Sequence, residues 1–362
     1  MKESKEYLTT QLISYLGNKR TLLNSIEGVI IDIKSELKNE RIEFADVFTG
    51  SGVVSRLAKA HSSLVLANDL ERYSYIINSC YLSNSSLDLL NTLKEYYTQI
   101  QNNFTPKESF ISELYAPKDD NNIKSGERVF YSRSNALIIG GLRYAIEQIP
   151  AEFQNFFIAP LLSKASVHSN TGGVFKDKNG IGKFGGSGEN ALSRILGKIT
   201  LEMPVFSNFK SEFKAFQNDA LEFAKIVPSV DIAYFDPPYN QHPYGSNYFM
   251  LNLISDFKAP DTNKISTISG IPDNWNRSNY NKKALASKEF FNLLSEFRAK
   301  YLVISFNSEG FITNDEFISN LSKIGKVYTK EIKYPAYRAS RNLNNRELYV
   351  TEYLYIIKKD TK

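Results

Sequence analysis

"YFDPPYNQHPYGSNY", residues 234–248, sets three prolines and three tyrosines directly behind "DIAYF" (231–235), an apolar run that reads as a buried strand. Asp236 falls at the end of that strand. Pro237 and Pro238 fix the backbone torsions behind it, and Tyr239 follows on the rigid tether. The loop presents a carboxylate, a proline carbonyl and an aromatic face together. A Pro-Pro turn after a strand is common in itself, so its meaning depends on what the rest of the chain places beside it.

Strand and helix signals alternate on both sides of the loop. "RIEFADVF" (41–48) and "SSLVLAND" (62–69) read as buried strands, and "GVVSRLAKAH" (52–61) and "RYSYIINSCYL" (72–82) as the helices that follow them. This is α/β patterning with parallel strands and right-handed crossovers. From about 86 to 200 the pattern becomes mostly helical, in "LDLLNTLKEYYTQI", "RSNALIIGGLRYAIEQI" and "FQNFFIAPLLSKA", before the glycine- and lysine-containing loop "HSNTGGVFKDKNGIGKFGGSGEN" (168–190). Strand signals return in "EFKAF", "DIAYF", "KYLVISF", "KVYTKEIKY" and "ELYVTEYLYIIKK", the last two predicting an antiparallel pair that closes the sheet. The expectation is a Rossmann-like α/β domain with a mixed seven-stranded sheet, formed by 1–85 and 205–362 and interrupted by a mainly helical insertion, 86–204.

Ligands of open α/β sheets bind beyond the carboxyl ends of the strands. After the first strand comes "FTGSG" (48–52), where Gly50 and Gly52 permit a tight turn and close approach of backbone to a ligand. The second strand ends in Asp69, placed to accept hydrogen bonds from ribose hydroxyls. An adenosine-containing cofactor satisfies both, although an ordinary strand-to-helix turn produces the same pattern. The dinucleotide fingerprint is not met, because Ser55 stands at the third glycine position, and "GIGKF" is no P-loop, because Phe184 follows Lys183. Beside such a loop, the Asp236 turn suits a planar heterocycle bearing an exocyclic NH2. The carboxylate and the Pro237 carbonyl accept its two N–H bonds while Tyr239 stacks on the ring. An amine held in this way can attack an electrophilic methyl group in line. No strong base is needed, since the proton becomes acidic only once the methyl is added.

"FTGSG", "DPPY" (236–239) and the N-terminal "SYLGNKRTLLNSI" (14–26) resemble motifs I, IV and X of adenine-specific DNA methyltransferases, in the Dam-like alpha-group order. That resemblance implies S-adenosylmethionine as methyl donor, with Tyr15, Gly17, Asn18 and Lys19 lining its methionine end beside Phe48, Thr49, Gly50 and Gly52. It implies Asp69 at the ribose and, from "FQNDALEF" (216–223), Asp219 near the cofactor adenine, with Asp236 reaching both cofactor and target. "YGSNYFMLNLI" and "SFNSEGF" are also similar to family segments that follow the catalytic loop. Tyr15 stands where the Dam pattern has Trp, and the insertion is larger, as in the modification methylases of restriction systems. A cognate restriction endonuclease is therefore an implied partner.

A target adenine inside a duplex cannot reach Asp236, so the resemblance also implies base flipping, at an unstacking cost of a few kcal/mol. Double-stranded DNA must then be gripped elsewhere. Residues 161–200 carry Lys164, Lys176, Lys178, Lys183, Arg194 and Lys198 against Asp177 and Glu189, which suits a loop following a groove or a plain solvated surface. "KYPAYRASRNLNNRE" (333–347), with Arg338 and Arg341, and "NWNRSNYNKK" (274–283), with Arg277, are two further candidates, and His242 and Asn247 lie in or just behind the catalytic loop. Three scattered histidines and the single Cys80 complete no zinc set, so no metal is expected.

Composition agrees with this reading without deciding it. A net charge of +5 permits nucleic acid as partner, and 22 Tyr and 24 Phe against one Trp serve a packed core as well as base stacking. One cysteine excludes an intrachain disulfide, and no segment approaches the apolar length of a membrane span, so a cytoplasmic, soluble protein is expected. Two alternatives stay open. Related "PPY" loops modify RNA or a protein glutamine, though typically with Asn at the position of Asp236. An inactivated scaffold that only binds DNA would have no need of Gly50, Gly52, Asp236 and Tyr239 together.

Overall fold

The structure, a computed structural model, describes residues 2–171, 183–185, 191–335 and 349–360. Along the chain come α1 (Lys5–Thr9), a 3-10 turn (Arg20–Leu22), α2 (Leu23–Leu37), β1 (Ile42–Asp46), α3 (Val53–Lys59), β2 (Ser62–Asp69) and α4 (Arg72–Tyr81). Helices follow: α5 (Leu87–Asn103), α6 (Phe110–Leu114), α7 (Arg133–Ile146), α8 (Ala151–Val167) and α9 (Ala191–Leu196). Then come β3 (Glu212–Gln217), α10 (Ala220–Ile226), β4 (Val230–Phe235), α11 (Tyr244–Asn247) and α12 (Phe249–Asp256). The chain continues through α13 (Lys283–Glu296), β5 (Ala299–Asn307), α14 (Asn314–Leu321), β6 (Gly325–Pro335) and β7 (Tyr349–Lys359). These elements form two compact units. A helical one holds Met1–Asn18, Glu71–Ser207 and Tyr244–Asn276, and an α/β one holds Lys19–Leu70, Asn208–Pro243 and Arg277–Lys362.

The α/β unit is built on a seven-stranded sheet in the order β3-β2-β1-β4-β5-β7-β6. β1 to β5 pair in parallel, while β7 enters antiparallel between β5 and β6, so the sheet is mixed as the strand signals predict. All six residues of β4 are buried, which is why its sequence reads as a continuous apolar run rather than an alternation. Helices α10, α13 and α14 bury Phe223, Phe290, Leu293 and Phe317 against Phe235, Leu302 and Ile304 of the sheet. α3 lies against β1 and β2, with α2 beside it. From β1 the chain winds to β2 and β3 on one side, then returns to β4 on the other. Strand order reverses there, and the loops after β1 and β4 diverge to open a crevice at their carboxyl ends.

The helical unit has its own core. α4 lies against α8 and α12, and α7 against α8. Between them Ile77, Leu142, Leu162 and Ile254 are buried in one apolar cluster. Through α4 and α12 this unit extends beyond 86–204 to take in 71–85 and 244–276, along with the N-terminal segment 1–18. Two glycines in α7 exist because the segment before α6 passes directly over the helix. A Cβ at Gly140 would lie 2.5 Å from the carbonyl oxygen of Lys107, and one at Gly141 only 2.1 Å from that of Thr105. No described helix is long and apolar enough to cross a membrane.

Since the atom in the way at Gly141 is backbone, Gly141→Ala should destabilise the helical unit by about 1–3 kcal/mol. The expected outcome is a lower melting temperature by circular dichroism, whereas Gly28→Ala, where a Cβ meets nothing within 4 Å, leaves it unchanged or slightly raised.

Candidate active site

The crevice of the α/β unit is assembled by hydrogen bonds among its own loops. Register places Asp46, the last residue of β1, opposite Tyr234 of β4 and Ala67 of β2. Beyond that point the Val47 amide donates to the Tyr234 carbonyl (3.0 Å) and the Thr49 amide to the Asn68 carbonyl (2.9 Å). Asn68 is buried and does the rest. Its Nδ2 donates to the carbonyls of Val47 (3.2 Å) and Asn218 (3.1 Å), and its Oδ1 accepts from the Asn218 amide (3.1 Å). One side chain thus ties the loops that follow β1 and β3 to the end of β2. Gly50 and Gly52 take φ of 54° and 77°, left-handed values that favour glycine, and the Gly50 amide donates to Asp69 Oδ2 at 2.7 Å.

Asp236 stands at the end of β4 with Pro237 and Pro238 behind it, and its Oδ1 lies 3.0 Å from the ammonium of Lys19. Lys19, only 4% exposed, lies 2.9 Å from Oε1 of Glu352, a β7 residue with no exposure at all. Glu352 also accepts from the Ser305 hydroxyl of β5. Burial opposes the charge on Lys19, but the two carboxylates outweigh it and hold the amine well above the ordinary lysine range. Burial pushes the Asp236 carboxyl up to about 7. Lys19 pulls against that shift, and Glu352 adds to it. Tyr239 sits over an apolar wall. Its ring meets Phe306 edge-on at 6.0 Å, the Lys19 ammonium is 5.7 Å from its centre, and its carbonyl accepts from the Phe311 amide. Asp236 Oδ2 has no hydrogen-bond partner among the described residues.

Asp46 is a second unusual carboxyl. Its Oδ2 accepts from the Ser55 hydroxyl at 2.7 Å, but its Oδ1 is buried without a partner among the described residues. Burial raises it to about 7 against the Ser55 hydrogen bond, with the charges of Asp236 and Asp69 adding to the rise. An orphaned carboxylate oxygen in a crevice fits a cationic ligand group. Asp236 and Glu352 pair with Lys19, and Asp46 feels the charges of Asp236 and Asp69, so this edge carries an excess of negative charge. Asp219 caps α10 by accepting from the Leu221 amide at 2.9 Å and is exposed. Phe48 is half-buried, edge-on to Tyr280 at 5.1 Å.

Tyr15, Gly17 and Asn18 belong to the helical unit. Tyr15 lies face to face with Tyr244 at 4.9 Å and with Tyr248 at 5.1 Å. Leu16 is gripped at both backbone atoms, its amide donating to Tyr248 Oη (2.8 Å) and its carbonyl accepting from Tyr244 Oη (3.1 Å). Gly17 has φ 72°, and Asn18 Nδ2 donates to the Tyr15 carbonyl. The tyrosines of the opening stretch therefore have two destinations. Tyr239 lies edge-on to Phe306 beside Lys19, while Tyr244 and Tyr248 hold the N-terminal segment.

Among the DNA-contact expectations, Lys183, His242 and Arg277 are exposed, and Asn247 is 4% exposed in α11. The Asn281 amide holds the carbonyls of Asn240 and His242. Lys176, Lys178, Arg338 and Arg341 lie outside the described residues. No cluster of three His, Cys, Asp or Glu suited to a metal occurs among the described residues. Sequence reasoning did not single out Asp46, Asn68, Ser305 or Glu352. Glu352 had a signal: it stands between Val350 and Leu354 on the inward face of an alternating strand, where an acid requires a partner.

Residues 15–320 match the model of the D12 class N6 adenine-specific DNA methyltransferase family. The chain is similar to the Type II methyltransferase M.NlaIII of Neisseria lactamica, 29% identical over 96% of this chain and 99% of that protein. It is also similar to the Type II methyltransferase M.CviAII of Paramecium bursaria Chlorella virus 1, 27% identical over 95% of this chain and 98% of the relative. The Type II methyltransferase M.FokI of Planomicrobium okeanokoites is 27% identical over 96% of this chain but 52% of its own length.

Proposed function

Because this chain belongs to the D12 class N6 adenine-specific DNA methyltransferase family, we propose that Asp236 receives the adenine amine in the reaction. The reaction is methyl transfer to the exocyclic nitrogen of adenine in DNA. One observation carries the assignment: Lys19 occupies Oδ1 of Asp236, while Oδ2 has no described partner and stands next to the Pro237 carbonyl along the chain. Two acceptors are what an NH2 group needs. Tyr239, held over Phe306, supplies a face for the adenine ring. Pro237 and Pro238 keep the acceptors in place without adding donors that would compete.

S-adenosylmethionine suits the crevice, and when bound it supplies an electrophilic methyl group. The residues present fit it on grounds of charge and shape. The orphaned Asp46 oxygen suits an ammonium, Asp69 suits a ribose diol, and the left-handed turn at Gly50 and Gly52 admits a ligand close to backbone. Lys19, Phe48, Thr49 and Asp219 complete this side of the proposed site. Asp236 orients the amine with its lone pair toward the methyl group. It would then take the proton that N6 releases once the N–C bond has formed and the S–CH3 bond has broken, the methyl donor leaving as a neutral thioether.

The adenine reaches Asp236 by flipping from the duplex, and the helical segment 86–204 supplies target recognition. Lys176, Lys178, Lys183, His242, Asn247, Arg277, Arg338 and Arg341 serve as DNA contacts in this reading, most of them to phosphates, which carry affinity rather than sequence. Similarity to Type II methyltransferases supports a role in the cytoplasm beside a cognate restriction endonuclease, protecting host DNA at a specific sequence.

Asp236→Asn should lower kcat by roughly 100-fold or more, read as methyl transfer to duplex DNA. The carboxylate is the accepting form and its pKa lies at about 7, so kcat/KM of the unaltered enzyme should fall as pH drops through about 7 and level off above it. Asp46→Asn should weaken cofactor binding by roughly tenfold in calorimetry without DNA, since a charge-assisted hydrogen bond is lost.

A further inference from the structure

Glu352 is a costly residue for a sheet. It lies in β7 between Asn307 of β5 and Ile332 of β6, fully buried, and a carboxylate there must be paired to be tolerated. An apolar side chain would fill the place at no such cost. What the carboxylate adds is a second anchor for Lys19, whose ammonium stands 3.0 Å from Asp236 and 2.9 Å from Glu352. Lysine carries a compact charge on a flexible stem. Tied to Asp236 alone, it is free to swing across both carboxylate oxygens and to neutralise them. Drawn equally toward Glu352, which the Ser305 hydroxyl holds in turn, it stays on Oδ1.

We propose that Glu352 is a positioning residue for methyl transfer, fixing the Lys19 ammonium on Oδ1 of Asp236 so that Oδ2 remains open to the adenine amine and keeps its strength as an acceptor. The inference rests on the reading of Asp236 as the group that receives the amine. Glu352 touches neither substrate nor cofactor in this role; it acts through Lys19. Among the described residues, the charged and titratable groups that face Asp236 are Lys19, Glu352 of β7, Asp46 of β1, Tyr234 of β4 and Tyr239. Among these, Glu352 adds negative charge without bonding to Asp236.

The test compares Glu352→Gln, Glu352→Asp, Lys19→Met and the Glu352→Gln/Lys19→Met double variant in the full-length enzyme, with kcat, KM for DNA and the pH profile of kcat/KM as readouts. Glu352→Gln keeps the shape and removes the charge. It should lower kcat about tenfold with little change in KM, and move the acid limb to lower pH, because the negative charge that raised Asp236 is gone. Glu352→Asp keeps the charge but shortens the reach, so kcat should fall while the limb stays in place, and this variant decides the matter if the glutamine form does not fold. Lys19→Met should move the limb to higher pH, and adding Glu352→Gln to it should cost little more, since the two residues act as one unit. An unchanged limb and kcat in Glu352→Gln, wild-type kcat in Glu352→Asp, or losses that multiply in the double variant would overturn the proposal. Asp236→Asn, run alongside, separates the two levels: if it retains activity, the acceptor reading itself fails, whatever Glu352 does.

Discussion

A buried ammonium needs carboxylates, and buried carboxylates need an ammonium; Lys19, Asp236 and Glu352 meet that constraint together. Each of the three would be expensive alone where Lys19 and Glu352 are buried. Their sum is one negative charge, placed at the end of β4 where the strand order reverses. The antiparallel insertion of β7 between β5 and β6 takes on a purpose in this light, because it brings Glu352 to the Lys19 side chain. The rigid Pro237–Pro238 turn matters for the same reason: a carboxylate that moved with its loop would lose the ion pair that defines its orientation.

Around that centre the loops carry an excess of acid. Asp46 and Asp69 flank the glycine turn, one with an orphaned oxygen and one bound to the Gly50 amide. Such an edge repels phosphate and attracts positive charge, which is the opposite of a nucleotide triphosphate site and the correct sign for a sulfonium cofactor with a free ammonium. The buried Asn68 ties the loops after β1 and β3 to the end of β2, so the acids are held at fixed separation despite their mutual repulsion. Preorganisation of this kind is what a displacement between two held groups requires.

Much of this was legible in the chain itself. The apolar run of β4 and the Asp-Pro-Pro-Tyr turn declare a rigid carboxylate at a strand end. The alternation of "ELYVTEYLYIIKK" declares an antiparallel strand, and both read through because they depend on local periodicity. Glu352 did not read through, because its partners Lys19 and Ser305 are set by strand order rather than by spacing, and Asp46 did not, because the burial that orphans its Oδ1 is not visible along the chain. The extent of the helical unit was hidden for a similar reason. α4 has the pattern of any amphipathic helix following a strand, and only its packing of Ile76 and Ile77 with the apolar faces of α8 and α12 shows where it belongs. Tyr244 and Tyr248 looked like part of the catalytic loop, and instead they clasp Leu16 in the N-terminal segment.

The most direct measurement is to incubate the purified protein with labelled S-adenosylmethionine and mixed-sequence duplex DNA, digest the DNA to nucleosides and identify the labelled base, with RNA as a parallel acceptor. The account predicts label in N6-methyl-deoxyadenosine alone, lost when Asp236 is replaced by Ala. Label in cytosine or in RNA, or adenine methylation that survives the loss of Asp236, would contradict it.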